Sequence, residues 1–441
     1  MDGSKRRKTA RLIFESAIQG VLPERLINGA VSLQGNELDI FGVKHNLRPG
    51  QKIHVFGSGK ASVNMAKSLL PLLKDRIAGG LVVSNQVGPD NLAPLQVVQG
   101  SHPVPDEKSV KAAELLINGL SSLGSNDFFI YLLSGGASAL IEKPVHRVSL
   151  EEMQATTRLL LHNSVPIDKI NAVRKHLSMV KGGKLAQCTK ASGVVLVISD
   201  VIDDDLSVIG SGPFHFDLST YRQCREILEH AAIWDEIPSQ VRGLIADGEK
   251  GTIAETPKQK SNTVRHYLLG TNRTALENGR LTAMESGLKT YVITSSLAGE
   301  AREVAKVLIA IAKNISTYHE PFEPPVCLLF GGETTVTVHG KGYGGRNQEL
   351  ALAALVEIAK LDNILILCGG TDGIDGNSTA AGAIADNDIF LEAARQGLSI
   401  PAYLADNDAN SFFRSVGGLL ETGPTGTNVM DVTVIIIDKE V

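Results

Sequence analysis

Short apolar runs, each followed closely by small or acidic residues and then by a helical pattern, recur along the chain. They include 53–56, 80–83, 129–133, 194–198, 267–269, 290–293, 326–330 and 364–367. A strand without polar alternation is covered on both faces, and strands that alternate with helices indicate parallel sheets. The fold class is therefore α/β with a doubly wound layout. At 441 residues the chain exceeds what one core supports, so two domains are expected. The polar, strand-poor stretch 247–262 separates a first domain, 1–250, from a second, 262–441. A further break at 321–325 falls inside the second. In sheets of this kind ligands bind beyond the carboxyl ends of the strands, so those ends are where function is sought.

After 53–56 comes Gly57-Ser58-Gly59-Lys60-Ala61-Ser62. It is no P-loop, because His54 stands where the first glycine belongs and Ala61 follows the lysine. Ser62 takes the place of the third glycine of a dinucleotide fingerprint. What remains is a glycine turn that delivers Lys60 to the first turn of a helix, where a cation is disfavoured unless an anion compensates. After 129–133, Ser134-Gly135-Gly136-Ala137-Ser138 either brings N–H groups close to an oxyanion or permits tight helix–sheet packing. Asp200 directly follows 194–198, a usual place for a Mg²⁺ ligand in phosphoryl transfer. Asp203-Asp204-Asp205 beyond it reads equally as an exposed loop with a helix cap. Asp372 and Asp375 share a glycine-rich loop after 364–368, where Asp-Gly is a common turn pair but two carboxylates favour metal or hydroxyl binding.

The most pointed stretch is Gly344-Gly345-Arg346-Asn347-Gln348-Glu349. A strand at 327–330, a turn at 331–335 and a second strand at 336–339 precede it, and an Ala- and Leu-rich helix follows over 350–360. A helix N-terminus attracts anions, and an arginine there adds a planar fork suited to carboxylate or phosphate. The basic residues of 162–184, among them Arg174, either bind a carboxylate or line a solvated helix face.

Composition narrows the function class. A net charge of −5 and a pI near 6.1 argue against a nucleic-acid surface. The single basic run, Lys5-Arg6-Arg7-Lys8, reads as a solvated helix start, and as an Arg-rich amphipathic beginning it leaves an organelle address open. No apolar stretch reaches the ~18 residues that span a membrane. Cys188, Cys224, Cys327 and Cys368 form no CxxC pair, and the histidines no HxH or HExxH, so no structural zinc is expected and a reducing, cytoplasmic setting is the default. Cys327 and Cys368, in apolar runs, read as buried structural thiols. Strand ends bearing Lys, Arg, Ser and Asp beside glycine fit nucleotide-dependent phosphoryl transfer better than hydride transfer.

The ordered motifs together resemble the MOFRL-type glycerate kinases from about residue 10 to 435. The likeness rests on Gly57-Ser58-Gly59-Lys60-Ala61, Ser101-His102-Pro103-Val104-Pro105, Leu133-Ser134-Gly135-Gly136-Ala137-Ser138-Ala139-Leu140 and Ile170-Asn171-Ala172-Val173-Arg174-Lys175-His176. It continues through Ser199-Asp200-Val201, Gly331-Gly332-Glu333-Thr334-Thr335, Gly344-Gly345-Arg346-Asn347-Gln348-Glu349, Gly370-Thr371-Asp372-Gly373 with Asp375-Gly376, and Thr422-Gly423-Pro424-Thr425-Gly426-Thr427-Asn428. The resemblance implies two three-layer α/β/α domains: an N-terminal Rossmann-like doubly wound sheet, and a C-terminal α/β domain holding the MOFRL module (about 326–435). It also implies an active site in the interdomain cleft. ATP and Mg²⁺ would serve there to phosphorylate the 2-hydroxyl of D-glycerate.

Lys60, Arg346, Asp200 and Asp372 are then the expected catalytic residues. Lys60 and Arg346 neutralise the transferred phosphoryl group. One of Asp200 and Asp372 takes the hydroxyl proton while the other holds the metal. Gly57, Ser58, Gly59, Ser134, Gly135, Gly136, Ser138, Arg174, Glu333, Asn347 and Asp375 are the expected substrate and nucleotide contacts. The partners are small molecules, with no nucleic acid or membrane, and the assembly is a monomer or homodimer. Ala137, Asp203, Phe214, Tyr343, Thr379 and Met430 depart from the family pattern, Asp203 standing where glycine is common, Tyr343 where Arg is usual and Met430 where Asn is frequent. An NAD(P)-dependent hydroxypyruvate reductase is the rival enzyme, and a non-catalytic sensor of phosphorylated acids the rival of another class.

Overall fold

The computed structural model describes residues 3–85, 88, 92–359 and 361–439. All eight apolar runs lie in strands. Strands β1 (Val31–Gln34), β2 (Glu37–Ile40) and β3 (Val43–Asn46) form a small antiparallel meander. Strands β4 (Ile53–Ser58), β5 (Ile77–Ser84), β6 (Leu95–Gln99), β7 (Phe128–Leu133), β8 (Ser192–Ile198) and β9 (Val264–Gly270) make a six-stranded sheet in the order β6-β5-β4-β7-β8-β9. Neighbours from β6 to β8 run parallel. Counted within the sheet, the order is 3-2-1-4-5-6, the doubly wound arrangement expected, and the winding reverses between β4 and β7.

The second sheet holds β10 (Lys289–Leu297), β11 (Val326–Gly332), β12 (Ile364–Gly370), β13 (Gly382–Asp386), β14 (Leu419–Leu420) and β15 (Asp431–Ile437), in the order β10-β11-β15-β12-β13-β14. Here the all-parallel expectation fails. β10 and β11 are parallel, but β15 is antiparallel to both β11 and β12, and β13 is antiparallel to β12 and β14. Every residue of β11, β12 and β15 is buried. An uninterrupted apolar run reports cover on both faces; it says nothing about strand direction.

The helix Arg346–Glu357 begins where the glycine pair placed it, four residues ahead of the 350–360 expected. Nine consecutive residues, Asn347 to Leu355, are buried, as an all-round apolar helix requires. Its neighbours include the helices Ala301–Tyr318, Ile400–Ala405 and Ala409–Val416, and the core beneath brings Leu352 and Leu355 together with Phe330, Ile366 and Ile435. The strand expected at 336–339 does not form. Val338 is exposed, and the segment is held through Glu300, whose carboxylate accepts from the Thr337 N–H at 2.8 Å.

Close packing divides the chain into two compact units. One holds residues 27–199 and 204–269; the other holds the chain up to Leu26, residues 200–203 and everything from Gly270 on. The first unit therefore runs to Leu269, the penultimate residue of β9, and the 247–262 stretch lies inside it. That stretch is fastened down: Thr256 donates to Asp217 at 3.0 Å, and Glu255 accepts from the Tyr221 N–H at 2.9 Å. The helix Gly3–Gln19 belongs to the second unit, where Ile13 lies beside Gly279 and Phe14 beside Gly369. Its basic run is no solvated start, since Arg6 pairs with Asp438 (3.2 Å) and Arg7 grips Asp386 with two bonds of 2.5 and 2.6 Å. Among the described residues no helix is long and apolar enough to cross a membrane.

Candidate active site

In the first unit, β4 and β7 lie side by side with Ser58 opposite Leu133, and the loops that leave them are stitched together. Ser134 N–H donates to the Ser58 carbonyl (3.2 Å), Lys60 N–H to the Gly135 carbonyl (2.9 Å) and Ala61 N–H to Ser134 Oγ (3.0 Å). Gly59 has φ +132°, and a Cβ there would lie 2.2 Å from Ser134 Oγ, so only glycine fits. The turn thus fixes the backbone of Lys60 at the point where the winding of the sheet reverses. The following helix starts at Ser62 with Ala61 as its cap, so Lys60 stands just before the helix instead of on its first turn. Its ammonium is exposed and has no hydrogen-bond or ion-pair partner among the described residues.

Gly136, at φ +81°, caps the short helix Ala137–Leu140. A Cβ on it would meet His102 Cδ2 at 3.1 Å and Lys60 Cγ at 3.2 Å. The N–H groups of Gly135, Gly136 and Ala137 donate to no described residue, so this turn keeps donors free beside Lys60. Gly57 and Ser58, by contrast, are the last residues of β4 itself. A Cβ on Gly57 would strike Leu132, and Ser58 Oγ is buried against the Tyr131 hydroxyl (2.7 Å), so neither side chain reaches the strand end. Ser138 Oγ bonds Ser211 Oγ (2.8 Å), and the Arg174 guanidinium donates to the Ser138 carbonyl at 3.3 Å. Burial pushes Arg174 below its ordinary value against the opposing charge of Glu142. Its neighbours are not a solvated face either: Lys175 is buried against Asp217 (3.4 Å) and Lys181 against Glu142 (2.5 Å).

In the second unit the antiparallel course of β15 brings its first residue, Asp431, opposite Gly332 and Gly370, the last residues of β11 and β12. Arg346, the first residue of its helix, donates Nε to Asp431 Oδ2 (2.5 Å) and Nη2 to Oδ1 (3.0 Å), and its Nη1 lies 2.7 Å from Glu333 Oε1. Burial alone would lower the Arg346 pKa, but the bonds and charge of Asp431 and the charge of Glu333 raise it, so the group stays charged. Burial raises the Glu333 carboxyl against the pull of Arg346, and the charges of Asp431, Asp200 and Asp372 raise it further. Asp200 and Asp372 therefore share one electrostatic neighbourhood with Glu333 and Arg346. A Cβ on Gly370 would lie 3.1 Å from Asp372 Oδ1 and 3.4 Å from Asp431 Oδ1.

The anion at this helix start is the chain's own. Buried Asp375 accepts from the Asn347 N–H (3.1 Å), the Gln348 N–H (2.9 Å) and both their side-chain amides (3.2 and 2.9 Å). Asp375 and Asn347 are thus spent on each other, leaving the arginine fork as the outward-facing part of the motif. Among the described residues no three carboxylates, histidines or cysteines converge as a ready-made metal cage. A site of one or two carboxylates fits Mg²⁺, which dehydrates reluctantly and is commonly shared with substrate phosphates; Asp200 and Asp372 are of that kind.

Asp431 and His102 escaped the site expected from sequence. Asp431 lies 85 residues from Arg346, and only the direction of β15 unites them. His102 carries a signal, since it lies in a Ser-His-Pro motif shared with the family, but nothing in the sequence puts it beside Lys60. Two atypical residues have a backbone explanation: Asp203 (φ +62°) and Met430 (φ +68°) sit in the left-handed region, where Gly and Asn are easiest. Exposed Tyr343 lies with its N–H on Asp408 (3.0 Å). Cys327 and Cys368 are fully buried as expected, and burial raises both thiols. A surface depression of about 600 Å³ beside Pro166, Gln223 and His230 contains none of these residues.

Residues 9–246 match the Domain of unknown function (DUF4147), and residues 326–431 match the MOFRL family. The chain is 39% identical over 431 residues to the glycerate 2-kinase of Pyrococcus horikoshii, covering 98% of this chain and 97% of that one. The crystal structure of a glycerate kinase from Thermotoga maritima superposes with a TM-score of 0.87 at 36% identity, over 98% of this chain and 100% of that one. A protein of Agrobacterium vitis described as a putative hydroxypyruvate reductase is 34% identical, over 98% of this chain and 94% of its own.

Proposed function

The chain belongs to the MOFRL-type glycerate kinase family, and on that premise we propose that it is an ATP-dependent glycerate 2-kinase, giving 2-phospho-D-glycerate and ADP. The observation that carries the reading is the Arg346 fork, fixed at a helix start by Asp431 and surrounded by the carboxylates Glu333, Asp372 and Asp200. A cation held rigidly among carboxylates suits phosphoryl transfer, in which positioning and charge stabilisation do most of the catalysis. Lys60 is the second phosphoryl cation, without a partner among the described residues on its stitched turn, and the N–H groups of Gly135 and Gly136, likewise bonded to no described residue, are neighbouring anion donors.

Both units contribute to the reaction in this proposal, as the family resemblance implies. Arg174 and the Ser138 turn receive the glycerate carboxylate. Glu333 neutralises Arg346 until a phosphate oxygen takes its place at Nη1. Asp200 and Asp372 hold the divalent cation, whose charge offsets that of the phosphates when bound. Asp375 and Asn347 are positioning residues, since they fix the helix that carries Arg346.

The test is incubation with ATP, Mg²⁺ and D-glycerate, with product passed directly to enolase and no phosphoglycerate mutase present. Immediate enolase turnover is expected. NADH oxidation on hydroxypyruvate with no ADP release would replace this reading with the reductase, the name carried by the Agrobacterium vitis protein.

A further inference from the structure

We propose that His102 is the catalytic base that accepts the substrate hydroxyl proton. The inference rests on the kinase reading and adds to it a residue outside the expected site. His102 lies on the loop between β6 and the helix Glu107–Ser121, and the loop is pinned where Ser101 N–H donates to buried Ser109 Oγ at 3.1 Å. That anchorage holds the imidazole against the Gly136 turn, with Nε2 only 3.4 Å from where a Cβ on Gly136 would be and the Lys60 stem on the same glycine at 3.2 Å. His102 is partly exposed, and neither ring nitrogen bonds a described residue. A free imidazole, a free ammonium and free backbone N–H groups therefore meet at the strand ends where a doubly wound sheet binds its ligand.

As the substrate oxygen bonds to the γ-phosphorus and the bond from that phosphorus to the β,γ-bridging oxygen breaks, the hydroxyl proton passes to a ring nitrogen, ADP leaves, and the imidazolium releases the proton to solvent. Partial burial and the Lys60 charge, the one charged group facing it among the described residues, keep the free imidazole neutral at pH 7 and able to accept. Phosphates bound at Lys60 would cancel that charge and make the ring more basic when the proton must be taken. Asp200 and Asp372 are poorer bases in this arrangement, because a carboxylate shared with a cation binds protons weakly.

Wild type, His102→Gln and His102→Ala are compared in the enolase-coupled assay across pH, with the fold checked by circular dichroism. The expected results are a fall in kcat of ~10²-fold or more with little change in KM for ATP, loss of the acidic limb of the pH profile in His102→Gln, and partial rescue of His102→Ala by added imidazole. In the free protein the His102 ring signal should titrate below the ordinary histidine value and move upward when ADP is added. A kcat within a few fold of wild type, or an acidic limb that persists in His102→Gln, overturns the role of His102 alone. No 2-phosphoglycerate from the wild type overturns the kinase reading and this inference together.

Discussion

Arg346 concentrates the chemistry in one side chain. Its fork meets Asp431 through two bonds and Glu333 through a third nitrogen, so its plane is set before any ligand arrives. A lysine would keep the charge and lose the geometry. Arg346→Lys should therefore lower kcat by ~10³-fold or more, in the range assigned to arginines that stabilise a transferring phosphoryl group. Steady-state rates with saturating ATP and glycerate measure this, and near-wild-type turnover removes Arg346 from the mechanism. The place of Arg346 was legible in the sequence, because two glycines ahead of an Ala- and Leu-rich run mark a helix start. The anion at that start was not, because Asp375 is itself the bound carboxylate. Asp375 and Asn347 look like ligand contacts in sequence since the residue types that hold a phosphate also hold an aspartate.

At the scale of elements, the Asp375 loop is what locks the start of the Arg346–Glu357 helix to the end of β12. Burial outweighs the four N–H donors and pushes the Asp375 carboxyl up to about 6. A carboxyl raised above its unfolded value contributes stability that is fully present below that value and is lost as pH rises through about 6. Asp375→Asn has no such titration. Denaturant midpoints measured between about pH 4 and 7 should thus fall less steeply in the variant than in wild type, and at equal slopes Asp375 would not be a raised, buried carboxyl. The variant should also be less stable at every pH, because an amide cannot accept from both backbone N–H groups. Strand identity was readable from apolar runs, whereas strand direction was not. β15 is as buried as any parallel strand, yet it returns antiparallel after a short strand and loop, and its reversed course delivers Asp431 to the ends of β11 and β12. The site in the second unit depends on this feature, which composition and periodicity leave open.

For the whole molecule, the sequence pattern places function at the strand ends, and both units carry charged residues there. The first presents a lysine without a partner among the described residues, on a turn that only glycine can make; the second presents an arginine already charge-balanced by carboxylates. The polar stretch at 247–262 lies inside the first compact unit, since polarity reports solvent exposure and fastened loops alike; here the side chains of Glu255 and Thr256 anchor it. The first helix reads as part of the first domain because its partners in the second unit are remote in sequence, from Ser16 and Asn278, 262 residues apart, to Arg7 and Asp386, 379 apart. What distinguishes a 2-kinase from every alternative is the carbon that receives the phosphate. Proton-coupled ³¹P NMR of the product formed from ATP, Mg²⁺ and D-glycerate reads this directly. A phosphorus signal split into a doublet by the single C2 proton is the predicted result. A triplet from a C3 methylene, or no phosphoglycerate signal at all, would contradict the account.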